Sequence, residues 1–268
     1  MKKYLLTGFL FILFQSNILY AQTDLNFEIM HYLANDILLG VGENKLPHNN
    51  ESFSKAKKLM KNVYYDNQKS FYCGCQYDYK QINGKEKIVV DAASCGYISR
   101  KNAERGKYIE WEHIVPAHAF GNTRQCWREP ICTYKNGKSF KGRKCCEKTD
   151  KMFRIMQADM YNLQPAVGEI NADRSNYHYG IIAGEPREYG ECDFEIEGKL
   201  AEPKEDIRGD IARTYFYMEA TYGVKISDKQ RKLFEVWNKQ DPVSEWERTR
   251  VERIEKIQGN KNKFILNP

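Results

Sequence analysis

Apolar residues recur about every three to four positions in several stretches of the chain, the spacing that places them on one face of a helix. In Ser54–Tyr65, Ala56, Leu59, Met60 and Val63 share a face opposite a lysine-rich one. The pattern predicts helices over Phe27–Leu39, Ser54–Tyr65, Met152–Met160, Gly209–Tyr222, Asp228–Asn238 and Ser244–Ile257. The first two have the pattern of packing helices, and we assign them no chemistry.

Short β-prone pieces lie between the helices. Asn83-Gly84 is a strong hairpin-turn signal, and Ile88-Val89-Val90 is typical of the strand that returns from it. The segment Arg124–Asp150 has almost no periodicity, so we predict a long loop held in place by its cysteines. No repeat or low-complexity tract divides the chain. The predicted fold is therefore a single, helix-rich, mixed α+β domain.

The N-terminus of the 268-residue chain has the features of an export signal. Lys2 and Lys3 precede the apolar run Tyr4–Leu13, and Ala21 offers a small residue for cleavage. We predict a signal peptide over residues 1–21 and a mature domain over residues 22–268, with an uncleaved anchor as the alternative. No later run approaches membrane-spanning length, so we expect no membrane association after cleavage.

All eight cysteines follow the predicted signal, and an even count in an exported chain indicates disulfides. Eight cysteines allow on the order of a hundred pairings, so the sequence leaves the connectivity open. Cys145 and Cys146 are adjacent, and we expect both to close the loop that contains Cys126 and Cys132. A metal site is the alternative, but Cys73-x-Cys75 lacks a matching second pair.

Positive charge is concentrated in one part of the chain. The formal net charge is +6, and twelve Lys or Arg residues face only five acidic ones between Arg100 and Lys148. Such clustering is typical of a surface that binds a polyanion, although a solvated face is the ordinary alternative.

The same basic stretch contains the strongest candidate for chemistry, Ile109–Gly121. Glu112 and His113 are neighbours, and in an extended segment their side chains point to opposite faces, so they cannot both bind one ion. A carboxylate suits a hard cation, and an imidazole with a pKa near 6.5 suits proton abstraction from water. The pair therefore indicates metal-assisted hydrolysis, with a salt-bridged surface pair as the alternative.

Other residues near this stretch have competing interpretations. His113 and His118 do not form a helical zinc pair, because Pro116 interrupts the segment between them. Asn162 either braces the loop that carries His113 or is an ordinary buried turn residue. Trp111 and Trp127 offer surfaces for base stacking, but core packing is the better interpretation for both.

Several motifs occur in a fixed order along the chain: Ser70-Phe71-Tyr72-Cys73-Gly74-Cys75, Trp111-Glu112-His113-Ile114-Val115-Pro116-Ala117, Asn162-Leu163-Gln164-Pro165, Gly168-Glu169-Ile170-Asn171-Ala172-Asp173-Arg174 and Gln258-Gly259-Asn260. Together they resemble the bacterial endonuclease I family, from about Ser70 to Phe264. The resemblance implies a ββα-metal (His-Me finger) site in a periplasmic or secreted nuclease. It also implies a metal-dependent, sequence-nonspecific endonuclease that acts on DNA, with RNA left open as a second substrate, and leaves 5′-phosphate and 3′-hydroxyl ends.

The resemblance assigns roles to four residues. It makes His113 the general base, Glu112 and Asn171 the ligands of one divalent ion, and Arg143 the phosphate-binding arginine. Mg²⁺ is the expected ion, with Mn²⁺ or Ca²⁺ as substitutes, and the protein is expected to act as a monomer. For Asn171 the competing interpretation is that it caps the N-terminus of a short helix.

The chemistry of these side chains agrees with the implied roles. One carboxylate and one amide oxygen leave most positions on Mg²⁺ to water and phosphate, as that ion prefers. Arginine adds a planar charged fork that matches phosphate. Two other functions stay open at this point: a disulfide-stapled nucleic-acid-binding module without activity, and a secreted zinc hydrolase that acts on other substrates.

Overall fold

The computed structural model of the protein describes residues 46–47, 51–184 and 187–266, which belong to one compact unit. The predicted signal peptide and the predicted helix Phe27–Leu39 lie outside the described residues. Within them, no helix is long and apolar enough to cross a membrane.

Helices make up most of the regular structure. In chain order they are α1 Phe53–Val63, α2 Ala103–Gly106, α3 Ala117–Gly121, α4 Gln125–Arg128, α5 Arg143–Thr149, α6 Lys151–Ala158, α7 Gly168–Arg174, α8 Arg208–Tyr222, α9 Asp228–Gln240, α10 Glu245–Gln258 and α11 Lys263–Leu266. Short 3₁₀ turns span Ala92–Cys95, Met160–Asn162 and Glu205–Ile207.

The strands form small separate sheets. They are β1 Tyr77–Ile82, β2 Lys85–Val90, β3 Ile109–His113, β4 Cys132–Thr133, β5 Ser139–Phe140, β6 Leu163–Val167, β7 His178–Tyr179, β8 Phe194–Glu197 and β9 Leu200–Pro203. The pairs β1–β2, β3–β6 and β4–β5 are antiparallel, and a three-stranded sheet has the order β7–β9–β8. This mixture of helices and small sheets confirms the predicted α+β fold.

The five helices predicted within the described residues are present as α1, α6, α8, α9 and α10. Side-chain caps explain several of their starts: Ser52, Asp150 and Ser227 each accept a hydrogen bond from a backbone N–H of the first turn. Ser244 forms a capping box with Glu247 at the start of α10. The predicted hairpin is also present, because Asn83 and Gly84 both adopt the positive φ angles that a tight hairpin turn requires.

The prediction of a loop over Arg124–Asp150 is wrong in part. The segment contains α4, the β4–β5 hairpin and α5. These elements are only two to seven residues long, so no hydrophobic period develops in the sequence. The cysteines hold the segment as predicted, because Cys126 bonds to Cys146 and Cys132 bonds to Cys145.

The other two disulfides join the β-rich part of the molecule. Cys73 bonds to Cys192, and Cys75 bonds to Cys95. All eight cysteines are therefore paired. Cysteine pairs, rather than a metal centre, account for the whole set.

The element that positions the candidate chemistry is the β3–β6 pair, with α7 directly after β6. Glu112 lies opposite Gln164, and His113 lies opposite Leu163. The backbone N–H of Phe71 donates to the carbonyl of Pro165 at 2.7 Å, which fastens the segment around Phe71 to β6. Two antiparallel strands followed by a helix form the ββα arrangement that the resemblance implies.

Arg250 of α10 ties the C-terminal helices to this unit. Its guanidinium is buried and donates to the Tyr64 hydroxyl and to the carbonyls of Met160 and Leu163, at 2.7 to 2.8 Å. Because Met160 leads into β6 and Leu163 begins it, α10 fixes the strand opposite Glu112 and His113. The motif Gln258-Gly259-Asn260 ends this helix, with Gly259 in the left-handed region.

Candidate functional site

A pocket of about 660 Å³ opens beside β3, and we call it the central pocket. All four predicted site residues line it: Glu112 and His113 at the end of β3, Arg143 at the start of α5 and Asn171 in α7. These four residues are up to 59 positions apart in the chain, the separation of Glu112 and Asn171. Their placement in one cavity is the geometry that a shared reaction requires.

Glu112 is held by two buried partners. Its Oε1 accepts hydrogen bonds from the Tyr72 hydroxyl and from Arg174 Nη1, both at 3.0 Å. Burial raises the pKa of Glu112, while the Arg174 cation and the Tyr72 hydrogen bond oppose that rise. A cation next to this carboxylate would stabilise its charged form further, so the environment is suited to a metal ligand.

Arg174 also organises the turn that follows β3. Its side chain is completely buried and donates to the carbonyl oxygens of His113 and Ile114, at 2.8 and 2.6 Å. The same guanidinium therefore fixes the Glu112 carboxylate and the backbone of the neighbouring histidine. Arg174 and Tyr72 were not predicted as site residues, although both lie in the motifs that carry the resemblance.

The contacts of His113 determine which ring nitrogen carries the proton. Nε2 lies 2.8 Å from the carbonyl oxygen of Gln157. A carbonyl can only accept, so Nε2 donates its hydrogen and Nδ1 keeps a free lone pair. Burial, assisted by the positive charge of Arg143, lowers the pKa of His113 to about 3, so the imidazole is neutral at neutral pH. A neutral ring with a free Nδ1 is in the state that a general base needs.

Asn171 lies inside α7 and does not cap it, so the helix-cap interpretation is wrong. The helix starts at Gly168, and its N-cap position is Val167. Its first residue must be small, because a Cβ on Gly168 would lie 2.7 Å from the carbonyl oxygen of Arg105. Asn171 therefore lies one turn into the helix, where its side chain does not cap the N-terminus.

A carboxylate on β3 orients the Asn171 amide. Nδ2 of Asn171 donates to Oε2 of Glu110 at 2.7 Å. Arg105 holds Glu110 in turn, through Nε and Nη2, each at 2.7 Å. A carboxylate accepts only from the NH₂ group of an amide, so Nδ2 of Asn171 faces Glu110 and Oδ1 is directed away from it. Together with the Glu112 carboxylate it gives a set of hard oxygen donors, which fits Mg²⁺, Mn²⁺ or Ca²⁺.

Arg143 reaches the central pocket from α5. Its Nε donates to the side-chain oxygen of Gln157 at 3.2 Å, and its guanidinium lies over the ring of Phe53 at 5.3 Å. Gln157 thus contacts both His113, through its backbone, and Arg143, through its side chain. This shared partner links the two residues that the resemblance assigns to the base and the phosphate contact.

Helix α1 contributes to the pocket, which corrects the prediction that it only packs. Phe53 and Lys57 both line the cavity. The Phe53 ring lies 4.8 Å from the His113 ring, measured between centroids. The lysine-rich face of the helix was the available signal in the sequence, but periodicity alone did not indicate where that face points.

The remaining candidates have defined places. Asn162 is fully buried and braces the loop after His113, because its amide bonds both the N–H and the carbonyl of Val115 at 2.7 and 3.0 Å. Trp111 is buried, and Trp127 is half-buried. The rings of Trp127 and the exposed His118 meet edge to face, and both line the pocket.

Comparisons with known proteins place the chain among nucleases. A sequence model described as endonuclease I matches residues 50–268. An extracellular deoxyribonuclease of Aeromonas hydrophila is 45% identical over 82% of this chain and 91% of its own length. A protein of Buchnera aphidicola named endonuclease-1 is 43% identical over 80% of each chain. A periplasmic deoxyribonuclease of Aeromonas hydrophila is 43% identical over 80% of this chain and 85% of its own length.

Proposed function

The chain belongs to the endonuclease I family, and we propose that it is an exported, metal-dependent endonuclease that hydrolyses DNA without sequence preference. The observation that carries the proposal is the central pocket, where a neutral His113 with a free Nδ1 lies beside the oxygen donors Glu112 and Asn171. The names of the similar proteins support DNA as substrate and the periplasm or the exterior as location.

In the proposed reaction His113 acts on water. Nδ1 removes a proton as the water oxygen forms a bond to the phosphorus atom, and the bond between phosphorus and the 3′ oxygen breaks. The leaving oxygen takes a proton from solvent, which yields 5′-phosphate and 3′-hydroxyl ends. The hydrogen bond from Nε2 to Gln157 keeps the ring oriented while Nδ1 becomes protonated.

Glu112 and Asn171 would hold the divalent ion, and Arg143 would bind a nonbridging oxygen of the phosphate. When bound, the ion would stabilise negative charge on the phosphate and on the leaving oxygen. Arg174 and Tyr72 keep the Glu112 carboxylate in place, and Glu110 keeps the Asn171 amide in place. These contacts are made to phosphate and not to base edges, so we expect cleavage without sequence preference.

A plasmid-nicking assay tests this proposal. The purified, oxidised protein should convert supercoiled plasmid to open-circular and linear forms with Mg²⁺, lose that activity in excess EDTA, and regain it when Mg²⁺ is restored. Retention of plasmid without cleavage under Mg²⁺, Mn²⁺ or Ca²⁺ would instead support the non-catalytic binding module. Stoichiometric tightly bound zinc would support the zinc hydrolase. Parallel digestion of RNA measures the breadth of the substrate range.

A further inference from the structure

A second cavity of about 1040 Å³ lies next to the central pocket, and we call it the lateral groove. Pro116, His118 and Asn176 line both cavities. These shared residues make the two cavities neighbours, so a nucleic-acid strand that extends from the central pocket on this side would reach the lateral groove. The proposed base, metal ligands and phosphate-binding arginine all lie outside this groove.

The charged residues that line the lateral groove are basic. None of its described lining residues is Asp or Glu, whereas Lys199, Lys225 and Arg124 are present. Arg124 is ion-paired with Asp150 at 2.6 Å, so the two exposed lysines are the stronger source of positive charge for a ligand. Ser227, the N-cap of the 13-residue helix α9, also lines the groove, and a helix N-terminus favours negative charge.

The walls between these charges are aromatic and apolar. Phe120, Tyr177, Tyr215 and Tyr222 line the groove, together with the aliphatic residues Val224 and Ile226. Rings and aliphatic side chains between cationic groups are the surface on which sugars and bases pack while phosphates meet lysine. The central pocket differs, since its lining combines the carboxylates of Glu110 and Glu112 with the cations of Lys57, Arg105 and Arg143.

We propose that the lateral groove binds the nucleotides of the strand being cut that adjoin the scissile phosphate. Lys199 and Lys225 contact successive phosphates, and the partly exposed rings of Tyr177 and Tyr222 support sugars and bases. We assign the groove to the cut strand rather than to its complement. The reason is that Pro116, which lines both cavities, lies close to His113 in the chain. This proposal rests on the proposed function, which supplies the phosphate position in the central pocket.

The test is the double variant Lys199→Gln/Lys225→Gln, assayed on fluorescein-labelled oligonucleotides of about 12 nucleotides, single-stranded and duplex. For the single strand we expect KM to rise about tenfold while kcat stays within about twofold. The slope of log affinity against log salt, measured by anisotropy in EDTA, should fall by roughly 1.4, about 0.7 for each phosphate that is no longer neutralised. The matched control is Lys232→Gln/Lys239→Gln, which removes equal charge from exposed positions of α9 outside the groove.

Three other results would contradict the proposal. An equal effect in the control variant would mean that net charge, and not the groove, sets affinity. An effect confined to the duplex would assign the groove to the complementary strand, and an unchanged single-strand KM and salt slope would exclude nucleic acid from it. If the parent protein cleaves nothing, the proposed function fails, and the anisotropy in EDTA still decides whether the groove binds the strand.

Discussion

At the scale of single residues, the orientation of the Asn171 amide depends on a carboxylate that does not itself belong to the predicted ion site. Glu110 accepts from Nδ2 of Asn171 and is held on its other side by the two nitrogens of Arg105. Reversal of the amide would place its NH₂ group towards the proposed ion site and its oxygen against a carboxylate, so Glu110 disfavours that state. Glu110 is thus a positioning residue for Asn171.

We expect Glu110→Gln to weaken metal binding about tenfold, the size of effect typical for residues that orient a metal ligand. A glutamine can donate to the amide oxygen as well as accept from its NH₂ group, so the preference for one orientation is lost. Direct Mn²⁺ titration followed by electron paramagnetic resonance measures the affinity without relying on cleavage. Glu104→Gln, which removes an exposed carboxylate of α2 that pairs with Lys107, is the control. Equal affinities in both variants would show that Glu110 has no positioning role.

The residues proposed to meet substrate were easier to predict than the residues that hold them. Glu112 and His113 were recognisable because an acid and an imidazole side by side already suggest two parts of one reaction. Arg174 has no such signature, since a buried arginine and an exposed one look alike in a sequence. Phe53 and Lys57 were missed because helical periodicity defines a face but not the partner of that face.

At the scale of elements, α7 is fastened to the chain before β3 through Glu169. Its carboxylate accepts hydrogen bonds from the side chains of Tyr97 and Ser99 and from three consecutive backbone N–H groups, those of Arg100, Lys101 and Asn102. Burial opposes the charge, but these hydrogen bonds outweigh it and lower the pKa of Glu169 to about 2. The folded state therefore stabilises the charged form of Glu169.

We expect Glu169→Gln to lower the free energy of unfolding at pH 7 by about 3 kcal/mol, because an amide NH₂ would face donors and leave buried groups unpaired. The pKa in the folded state lies below the ordinary value of about 4.3, so the stabilisation is present above that pH and is lost as the pH falls towards about 2. Urea unfolding in EDTA at several pH values measures both effects.

The exposed carboxylate of Glu252, replaced as Glu252→Gln, serves as the control for that series. It should change stability little at any pH. The contradicting result is a difference in unfolding free energy between the parent and Glu169→Gln that stays constant from pH 7 to pH 3. It would mean that the folded state does not stabilise the charged form of Glu169.

Element prediction succeeded where local signals were strong. The Asn83-Gly84 turn was found because both residues tolerate positive φ, and α8, α9 and α10 were found because each is long enough to show a period. The segment Arg124–Asp150 was not resolved into elements, since its short helices and its hairpin are held by Cys126–Cys146 and Cys132–Cys145 rather than by a hydrophobic face. Disulfides of this kind do not require a hydrophobic period in the local sequence.

At the scale of the whole molecule, the central pocket is assembled from segments that are far apart in the chain. Lys57 comes from α1, Glu112 from β3, Arg143 from α5 and Asn171 from α7. Fold class and candidate chemistry were accessible from the sequence through ordered motifs. The sequence also linked Cys145 and Cys146 to the loop of Cys126 and Cys132, but it did not give the individual disulfide pairs or the lateral groove, because these depend on how the chain packs in three dimensions.

If His113 is the base in this pocket, loss of its imidazole should slow hydrolysis, and the single-turnover rate of plasmid nicking by His113→Ala measures that loss. The matched control is His118→Ala, which removes an exposed histidine of the same cavity. Circular dichroism and thermal unfolding should first establish that both variants are folded. We predict that His113→Ala loses about 10³-fold in rate, as expected for a general base, while His118→Ala stays within about fivefold of the parent. A folded His113→Ala variant that nicks plasmid as fast as the parent would contradict the account.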